Sequence, residues 1–353
     1  MSLQINPNYF ILFFFISVLV SFLVVKTSNK IFFGLLIDKD FNKPQAFHRN
    51  AIPRAGGLSI IILFILFILF YSSNQNIFLA DYLTISLAFF ILGFLDDLKI
   101  NLNPNYRLLI MLLILLTSIN LFSIEINRTG LALLNSWLEN NLFQYIFVIL
   151  CFLFIINGAN LIDGFNGLLA IQFLIITSIY LIINFNNQNF NLFLVLFIQI
   201  IIVFSFLLFN FPKAKIFLGD GGSYLLGSLI ALNTIKTYEL NISISPFFYT
   251  SILCYLFFEV FFSFIRKAVK KKSPLKPDNL HLHMLLFNYL NKIKKGNNNF
   301  VTSLLINSIY LILVIPLFFL KNNGLVCRYY FFGIIIFYLI VYFRLKKVVN
   351  FKK

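Results

Sequence analysis

The chain has 353 residues, of which 60% are hydrophobic and 11% charged, and its formal net charge is +16. Soluble domains carry about 25% charged residues, so this composition excludes an ordinary soluble protein. The three cysteines form no CxxC pair and no even-numbered set, which excludes a disulfide scaffold and a cysteine-based zinc site.

Long apolar runs without charge follow one another along the chain. Runs of about 17–25 apolar residues are typical of transmembrane helices, so we predict an all-α integral membrane protein with a single polytopic domain over residues 1–353. The first run is expected to remain as a span, because no basic residue precedes it and no small-x-small cleavage site follows it. The eighth run is short, so its ends are the least defined. The eleven predicted spans are 8–25, 57–72, 78–95, 108–124, 142–157, 167–184, 190–209, 223–235, 246–265, 300–320 and 327–343.

The distribution of Lys and Arg predicts the orientation. With loop 26–56 in the cytoplasm, the inner side holds 24 of the 28 basic residues and seven carboxylates, and the outer side holds four of each. Basic residues are retained on the cytoplasmic side, so the N-terminus is predicted outside and the C-terminus inside. This asymmetry explains the positive net charge, so the charge does not indicate nucleic-acid binding. A basic inner face suits anionic lipid heads or phosphate substrates. The predicted cytoplasmic segments are 26–56, 96–107, 158–166, 210–222, 266–299 and 344–353.

Two polar strings lie in the first two cytoplasmic loops. "NKPQAFHRNAIPRAGG" follows Asp38 and Asp40, and "GFLDDLK" contains the adjacent Asp96 and Asp97 at the inner end of the third span. An interfacial anchor explains one carboxylate there, but adjacent carboxylates repel and an anchor needs no pair. Paired carboxylates near other oxygen ligands suit a hard divalent cation, or a base that the cation keeps ionised.

The next two strings are rich in Asn, Asp and Gly. "NGANLIDGFNG" runs from Asn157 to Gly167 with Asp163 inside it, and "KAKIFLGDGGSYLLG" contains Asp220. Two alternatives stay open for each string. Asp163 can cap a helix end beside a glycine stop, or it can belong to a site. "GDGGS" can be a turn with Ser223 as a cap, or a glycine-rich helix start that cradles phosphate.

The last string, "SPLKPDNLHLH", contains Asp278 and two histidines at positions i and i+2, which do not share a helical face. On its own this string also fits an interfacial segment after the basic run 270–272. Glu259 lies seven residues before Arg266, about 10 Å of helix, and is therefore inside the membrane. A carboxylate there is costly, so we expect Glu259 to be a structural partner of a basic residue of the site.

The inner carboxylates all lie in or beside these strings, whereas the outer carboxylates belong to none of them. This clustering on one face predicts a single site. The site combines a divalent metal, phosphate groups and an apolar co-substrate at a cytoplasmic cleft. The outer carboxylates are Asp81, Glu125, Glu139 and Glu239.

The chain resembles the polyprenyl-phosphate N-acetylhexosamine-1-phosphate transferases, glycosyltransferase family 4, in five strings that follow the family's order: "HRNAIPRAGG", "GFLDD…R", "NxxNxIDGxxG", "NxPxAKIFLGDxGSxxLG" and "E…R…SPLKPDNLHLH". The resemblance covers essentially the whole chain. It implies that a polyprenyl phosphate, usually undecaprenyl phosphate, attacks the sugar-linked phosphorus of a UDP-N-acetylhexosamine and that UMP leaves. It also implies Mg²⁺, with Mn²⁺ as an alternative, to offset the charge of two anionic reactants.

The same resemblance implies a multi-pass protein of the bacterial inner membrane with its site facing the cytoplasm. The implied partners are the two substrates, the lipid bilayer and, as an open question, a second copy of the chain in a homodimer. No nucleic acid is expected.

Residue roles follow from the resemblance only. It implies Asp220 as the Mg²⁺ ligand with Asn160 as a second ligand, and it gives Asp163 a part in nucleotide binding or catalysis. Either member of the adjacent carboxylate pair holds or deprotonates the lipid phosphate, and the two histidines contact the diphosphate or the sugar phosphate. The implied catalytic residues are Asp96, Asp97, Asp163, His281 and His283. The implied substrate contacts are His48, Arg54, Asn157, Asn160, Asn166, Lys215 and Asp278.

Some positions depart from the family's pattern. Asn166 stands where Asp is frequent, Met284 replaces a third histidine, and Met111 replaces a frequent Gln, which affects nucleotide and sugar contacts. "HLHM" lacks the three adjacent histidines of the peptidoglycan branch. The chain therefore looks closer to the branch that starts O-antigen, lipopolysaccharide or other surface glycans, with a phospho-N-acetylmuramoyl-pentapeptide transferase as the alternative.

Two further hypotheses compete with a transferase. A secondary transporter or lipid flippase predicts polar residues near the bilayer midplane and paired features in the two halves. An inactive scaffold of the same fold predicts substituted site residues. Neither pattern is visible in the sequence, and the sequence does not specify which N-acetylated sugar is used.

Overall fold

The computed structural model describes residues 7–28, 30, 34–38, 51–75, 79–100, 102–273, 278–293, 296 and 298–350. Helices dominate these residues, and two short strands pair as an antiparallel hairpin, β1 (Ile37–Asp38) and β2 (Ile52–Pro53). The helices are α1 (Pro7–Thr27), α2 (Gly56–Gln75), α3 (Ala80–Asp97), α4 (Pro104–Phe122), α5 (Ala132–Leu138), α6 (Asn141–Ile162), α7 (Leu168–Asn186), α8 (Phe190–Asn210), α9 (Gly219–Leu240), α10 (Pro246–Ile252), α11 (Cys254–Val269), α12 (Leu282–Ile293), α13 (Asn298–Leu320) and α14 (Gly324–Asn350).

The predicted all-α class is confirmed, and ten of the eleven predicted apolar runs each coincide with a single helix. By length and composition, seven helices could cross a membrane, or eight if α10 and α11 form one broken span. The seven are α1, α4, α6, α7, α8, α13 and α14. Within the described residues, α2, α3 and α9 fall short of that measure. The protein is therefore a helical membrane protein with several spans.

The ninth predicted run, 246–265, forms two helices instead of one. Ser245 accepts a hydrogen bond from the backbone N–H of Phe247 through its side-chain oxygen at the start of α10, and the chain then bends by 71° between α10 and α11. The bend directs the buried Glu259 and Arg266 of α11 toward the segment before α12. Apolar composition alone carries no record of such a bend, because both helices are apolar.

Helix α9 lies at the centre of the helical bundle. From Gly219 to Thr237, every residue except Asp220 and Lys236 is buried. Helix α3 approaches the start of α9 so closely that a Cβ on Gly93 would lie 2.3 Å from the carbonyl oxygen of Asp220. Small residues permit this kind of close helix contact in membranes. The contact holds the first turn of α9 beside the C-terminal end of α3.

The hairpin is joined to the segment that precedes α9. The backbone N–H of Phe217 donates to the carbonyl of Pro53 at 2.8 Å, and the N–H groups of Gly56 and Gly57 donate to the carbonyls of Phe217 and Leu218 at 2.8 and 2.9 Å. No sequence pattern predicted this hairpin. It brings Arg54, which follows β2, to the first turn of α9.

Candidate active site

Asp97 joins the end of α3 to the start of α9. Its Oδ1 accepts from the backbone N–H of Asp220 at 2.9 Å, and its Oδ2 accepts from the N–H of Gly221 at 2.8 Å. A carboxylate at a helix N-terminus satisfies free N–H groups and interacts favourably with the helix dipole. Gly219 has a φ of +79°, and a Cβ there would lie 2.6 Å from Asp97 Oδ2. Asp97 therefore acts as an external cap for α9.

Asp220 and Asn160, the two predicted metal ligands, lie in contact. Asn160 on the last turn of α6 donates through Nδ2 to Asp220 Oδ1 at 2.9 Å and to Ser223 Oγ at 2.9 Å. Within the described residues, Asn160 Oδ1 and Asp220 Oδ2 make no hydrogen bond. These are hard oxygen donors of the kind that Mg²⁺ prefers.

The donor set fits an open magnesium site. Among the described residues, no three His, Cys, Asp or Glu side chains converge on one point that could hold a metal. Mg²⁺ commonly uses only one or two carboxylates together with waters and substrate phosphates. Asp220 and Asn160 could supply the protein's share of such a site.

Asp96 is paired with a cation. Its Oδ2 lies 3.0 Å from Arg107 Nη1, and the same Nη1 donates to the hydroxyl of Tyr224 at 3.1 Å. Tyr224 is buried on α9, one turn after Asp220. Arg107 thus connects Asp96 on α3 to the helix that carries Asp220, the predicted metal ligand.

Asp163 follows α6 at its C-cap position, so the cap alternative and the site alternative are compatible. Burial raises the pKa of Asp163 well above its ordinary value, and the negative charges of Asp220 and Asp97 raise it further against an opposing effect of Arg54. The side chain therefore lies within electrostatic reach of the other acids. We call Asp96, Asp97, Asp163 and Asp220 the carboxylate cluster.

Arg54 reaches the carboxylate cluster from the hairpin. Its Nη1 lies 3.9 Å from Asp97 Oδ1, and its Nε and Nη2 donate to Asp38 Oδ2 at 3.0 and 2.6 Å. With Arg107, Arg54 supplies positive charge beside the cluster, which suits the binding of phosphate oxygens.

A second group of charged residues lies between α11 and α12. His281 is 2% exposed and is held between two carboxylates, with Nδ1 at 3.0 Å from Glu259 Oε2 and Nε2 at 3.2 Å from Asp278 Oδ1. Glu259 also accepts from the backbone N–H of Leu282 at 3.0 Å. The predicted contact of Glu259 with a basic residue of the site is confirmed, and its structural role stays a prediction.

Arg266 completes this group. Its Nη2 lies 2.9 and 2.7 Å from the two carboxylate oxygens of Asp278, and its Nη1 donates to the hydroxyl of Tyr342 at 3.0 Å. Burial opposes ionisation of Asp278, but Arg266 and His281 outweigh it and lower the pKa of Asp278. We call Glu259, Arg266, Asp278, His281 and His283 the histidine cluster.

His283 is fully buried beside His281. Its ring stacks on the ring of His281 at 5.6 Å and meets the edge of Phe165 at 5.6 Å. Its Nδ1 lies 3.4 Å from the hydroxyl of Tyr255, and burial lowers its pKa to about 3. The imidazole is therefore neutral at physiological pH. The predicted contact of either histidine with a substrate phosphate stays a prediction.

The remaining predicted substrate contacts are spread around these groups. Asn157 Nδ2 donates to the carbonyl of Leu153 at 2.8 Å on its own helix. Asn166 links loops, since its Nδ2 donates to the carbonyl of Pro212 at 3.0 Å. Lys215 has an exposed side chain. His48 lies outside the described residues. Substrate contact by these four residues stays a prediction.

Three residues have contacts in the site that the sequence patterns did not assign. Asp38 holds Arg54, and Arg107 and Tyr224 connect Asp96 to α9. Asp38 was visible as one of the few acids near a polar string, and Arg107 belongs to the string "GFLDD…R". Tyr224 carried no signal, because aromatic residues are abundant throughout the chain.

Comparison with known proteins gives the class. Residues 79–238 match the sequence model of the family described as glycosyl transferase family 4. The undecaprenyl-phosphate alpha-N-acetylglucosaminyl 1-phosphate transferase of Thermotoga maritima is 28% identical over 247 residues, which cover 70% of this chain and 72% of that protein. Two phospho-N-acetylmuramoyl-pentapeptide-transferases are also similar. That of Dictyoglomus turgidum is 30% identical over 65% of this chain and 74% of its own length.

The second phospho-N-acetylmuramoyl-pentapeptide-transferase, from Streptococcus agalactiae serotype III, is 31% identical over 52% of this chain. The match spans only 59% of that relative. Together, the fold and these matches define a multi-pass membrane protein of the transferase class. The chain belongs to glycosyl transferase family 4, which confirms the resemblance found in its motifs.

Proposed function

We propose that this protein transfers an N-acetylhexosamine-1-phosphate from a UDP-sugar to undecaprenyl phosphate or a similar polyprenyl phosphate, with release of UMP, at the start of a lipid-linked surface glycan. The observation that carries the proposal is the contact between Asp220 and Asn160 at the capped start of α9, with the other acids, Arg54 and Arg107 around it. The similarity to the Thermotoga maritima transferase supports it.

In the proposed reaction, an oxygen of the lipid phosphate forms a bond to the sugar-linked phosphorus as the bond to UMP breaks. Asp220 and Asn160 would hold Mg²⁺, and the bound cation would supply positive charge against the two anionic reactants and the departing UMP. Arg54 and Arg107 add fixed positive charge beside the phosphates.

The two adjacent acids have different parts in this proposal. Asp97 uses both oxygens to accept from backbone N–H groups of α9, so we assign it to holding the helix that carries Asp220. Asp96 keeps a side-chain partner, Arg107, that could itself bind phosphate. This difference favours Asp96 as the group that holds or deprotonates the lipid phosphate.

We also propose the topology with eleven spans, an outer N-terminus and a site facing the cytoplasm of a bacterial inner membrane. The retention of 24 of the 28 basic residues on one side supports it. The position of the site residues also supports it, since they lie at the end of α3, the end of α6 and the start of α9. This placement at helix ends speaks against a transport path at the bilayer midplane.

A second candidate is a phospho-N-acetylmuramoyl-pentapeptide transferase. The similarity to the Dictyoglomus turgidum protein of that name supports it. The chemistry at phosphorus is the same, and only the donor sugar differs, so a donor panel separates the two candidates.

The test uses purified protein in detergent with undecaprenyl phosphate, Mg²⁺ and a panel of donors, namely UDP-N-acetylhexosamines, their 6-deoxy derivatives and UDP-N-acetylmuramoyl-pentapeptide. UMP release is followed with and without EDTA. Metal-dependent release with one UDP-N-acetylhexosamine supports the proposal, and release with the pentapeptide donor alone replaces it with the second candidate. No release from folded protein with any donor contradicts both.

A further inference from the structure

We propose that Asp38 is a positioning residue that orients Arg54 toward a substrate phosphate. The inference rests on the proposed function and adds a residue that neither the motifs nor the family resemblance assigns. It starts from the hairpin, where Asp38 lies on β1 and Arg54 follows β2. The buried Asp38 contacts one side of Arg54, and the other side of Arg54 faces the carboxylate cluster.

The register of the hairpin places the two side chains on one face. Asp38 pairs with Ile52, and Ile37 pairs with Pro53. Side chains two residues apart along a strand lie on the same face, so Arg54 is the diagonal neighbour of Asp38. The backbone N–H of Arg54 donates to the carbonyl of Leu36 at 2.8 Å, which continues the pairing beyond β2. The pair is thus part of the hairpin geometry rather than a chance surface contact.

The contact uses one side of the guanidinium. Nε and Nη2 of Arg54 both donate to Asp38 Oδ2, at 3.0 and 2.6 Å. A guanidinium has five N–H groups in a fixed plane, so two are directed at Asp38 and the plane is set by them. Nη1 lies on the other side, 3.9 Å from Asp97 Oδ1. That distance is too long for a hydrogen bond.

Burial supports a one-sided role. The side chain of Asp38 is 6% exposed, whereas that of Arg54 is 28% exposed. Because Asp38 is buried and Arg54 is partly exposed, Asp38 restrains the arginine without covering its Nη1 side. A restrained arginine loses less side-chain entropy when it binds an anion, which is the usual benefit of preorganisation.

The position of Arg54 relative to Asp220 is also restrained. Pro53 precedes Arg54, and Gly56 follows it by two residues. Both form backbone hydrogen bonds of 2.8 Å with Phe217, which lies three residues before Asp220. Arg54 and Asp220 therefore belong to one connected unit. A phosphate bound beside Asp220 would therefore lie close to Arg54.

The ligand chemistry is a phosphate oxyanion. Two sources provide it in the proposed reaction, the diphosphate of the UDP-sugar and the single phosphate of the polyprenyl lipid. Arginine suits either, because its planar N–H groups match phosphate oxygens. Binding measurements with UDP and with undecaprenyl phosphate separate the two sources, and neither depends on knowing the donor sugar.

The experiment compares wild type, Asp38→Asn, Arg54→Gln and the double variant, with Asp81→Asn as the control. Asp81 forms a similar ion pair with Lys236 at 3.1 Å, but at the opposite end of α3 from the carboxylate cluster. Dissociation constants for UDP and undecaprenyl phosphate are measured beside KM and kcat for UMP release. Thermal unfolding in detergent establishes that each variant is folded.

We expect Asp38→Asn to weaken binding of one of the two ligands by about tenfold, since small displacements of a positioned group have effects of this order or larger. The change should appear in KM more than in kcat, and the double variant should bind no more weakly than Arg54→Gln alone. Asp38→Glu, which keeps the charge, should recover part of the loss. Asp81→Asn should bind both ligands as wild type does.

Two results would overturn the inference. One is a folded Asp38→Asn protein that binds both ligands as tightly as Asp81→Asn does. The other is a double variant whose loss is the product of the two single losses, because Asp38 would then act independently of Arg54. If wild type binds neither ligand and releases no UMP, the proposed function fails as well, and that outcome is distinct from both.

Discussion

The carboxylate cluster and the histidine cluster both contain acidic side chains but differ in how far those side chains are paired. In the histidine cluster, His281 lies between Glu259 and Asp278, and Asp278 is held by Arg266. In the carboxylate cluster, four acids lie beside two arginines. Asp220 Oδ2 and Asn160 Oδ1 make no hydrogen bond within the described residues. Buried charges are normally paired, so the unpaired oxygens are the ones available to a ligand.

This difference separates stability from chemistry. The paired group joins α11, the segment before α12 and Tyr342 of α14 in one buried network. Most polar atoms of the histidine cluster already have hydrogen-bond or ion-pair partners within the protein. The carboxylate cluster has four acids beside two arginines, and a divalent cation could balance this excess negative charge and bind an anionic substrate. The following predictions test that division.

The largest effect is expected for Asp220→Asn. Removing the carboxylate weakens the metal site at the point where charge develops, so UMP release should fall by about 10²–10³-fold. The matched control is Glu239→Gln, near the opposite end of the same helix, where Glu239 lies 4.0 Å from Lys236. Equal loss of activity in both variants would show that α9 is sensitive to any charge change.

Glu259→Gln should act on stability instead. It removes one partner of a buried pair whose side chains are 2% and 1% exposed, and such a loss costs about 3–5 kcal/mol. Thermal unfolding in detergent should show a lower midpoint than for Glu139→Gln, which changes an exposed residue after α5. UMP release per folded molecule should stay close to wild type. An unchanged midpoint with lost turnover would instead place Glu259 in the chemistry.

Asp97→Asn should give an intermediate effect through the metal. An Asn at this position keeps one acceptor oxygen but turns an N–H group toward the amides of Asp220 and Gly221. We expect Mg²⁺ affinity to fall by about 10–100-fold, as for other groups that orient a ligand, with most of kcat recovered at saturating metal. Mn²⁺ binding followed by EPR checks the affinity. If kcat is lost at every metal concentration while the affinity is unchanged, Asp97 is the base and our assignment of Asp96 is wrong.

The smallest effect is a pH dependence set by Asp163. Burial, with the charges of Asp220 and Asp97, raises the pKa of Asp163 above the ordinary value of about 4. The folded protein therefore holds this proton more tightly than the unfolded chain does, and the stability that the group contributes is lost as pH rises through the raised pKa. A cation beside Asp220 should displace the proton.

Apparent Mg²⁺ affinity should accordingly weaken as pH falls through that raised pKa, and Asp163→Asn should remove this part of the profile. Asp278→Asn is the matched control from the histidine cluster. The pKa of Asp278 is lowered, so Asp278 stays ionised over the same range and its replacement should leave the profile unchanged. A profile that moves in the control but not in Asp163→Asn contradicts the assignment.

Local sequence was sufficient for the parts of the molecule that depend on local composition. Apolar runs predicted where the helices lie, and short polar strings predicted that Asp220 and Asn160 belong to one site. Glu259 was predicted to be a structural acid because a charge inside a membrane needs a partner. The helix positions and the expectation for Glu259 use the composition of single segments. The single site also depends on the membrane face that the polar strings share.

Contacts between distant segments were not accessible in this way. The bend of 71° between α10 and α11 lies in uniformly apolar sequence, and the Asp38–Arg54 pair depends on a hairpin of two residues per strand. The adjacent pair Asp96 and Asp97 is the clearest case, because the string "DD" presents two equivalent acids. Packing against α9 gives Asp97 two backbone N–H donors and gives Asp96 an arginine. Residue identity sets which groups can ionise and bind, whereas the neighbours that folding supplies set which of them keep free oxygens for chemistry.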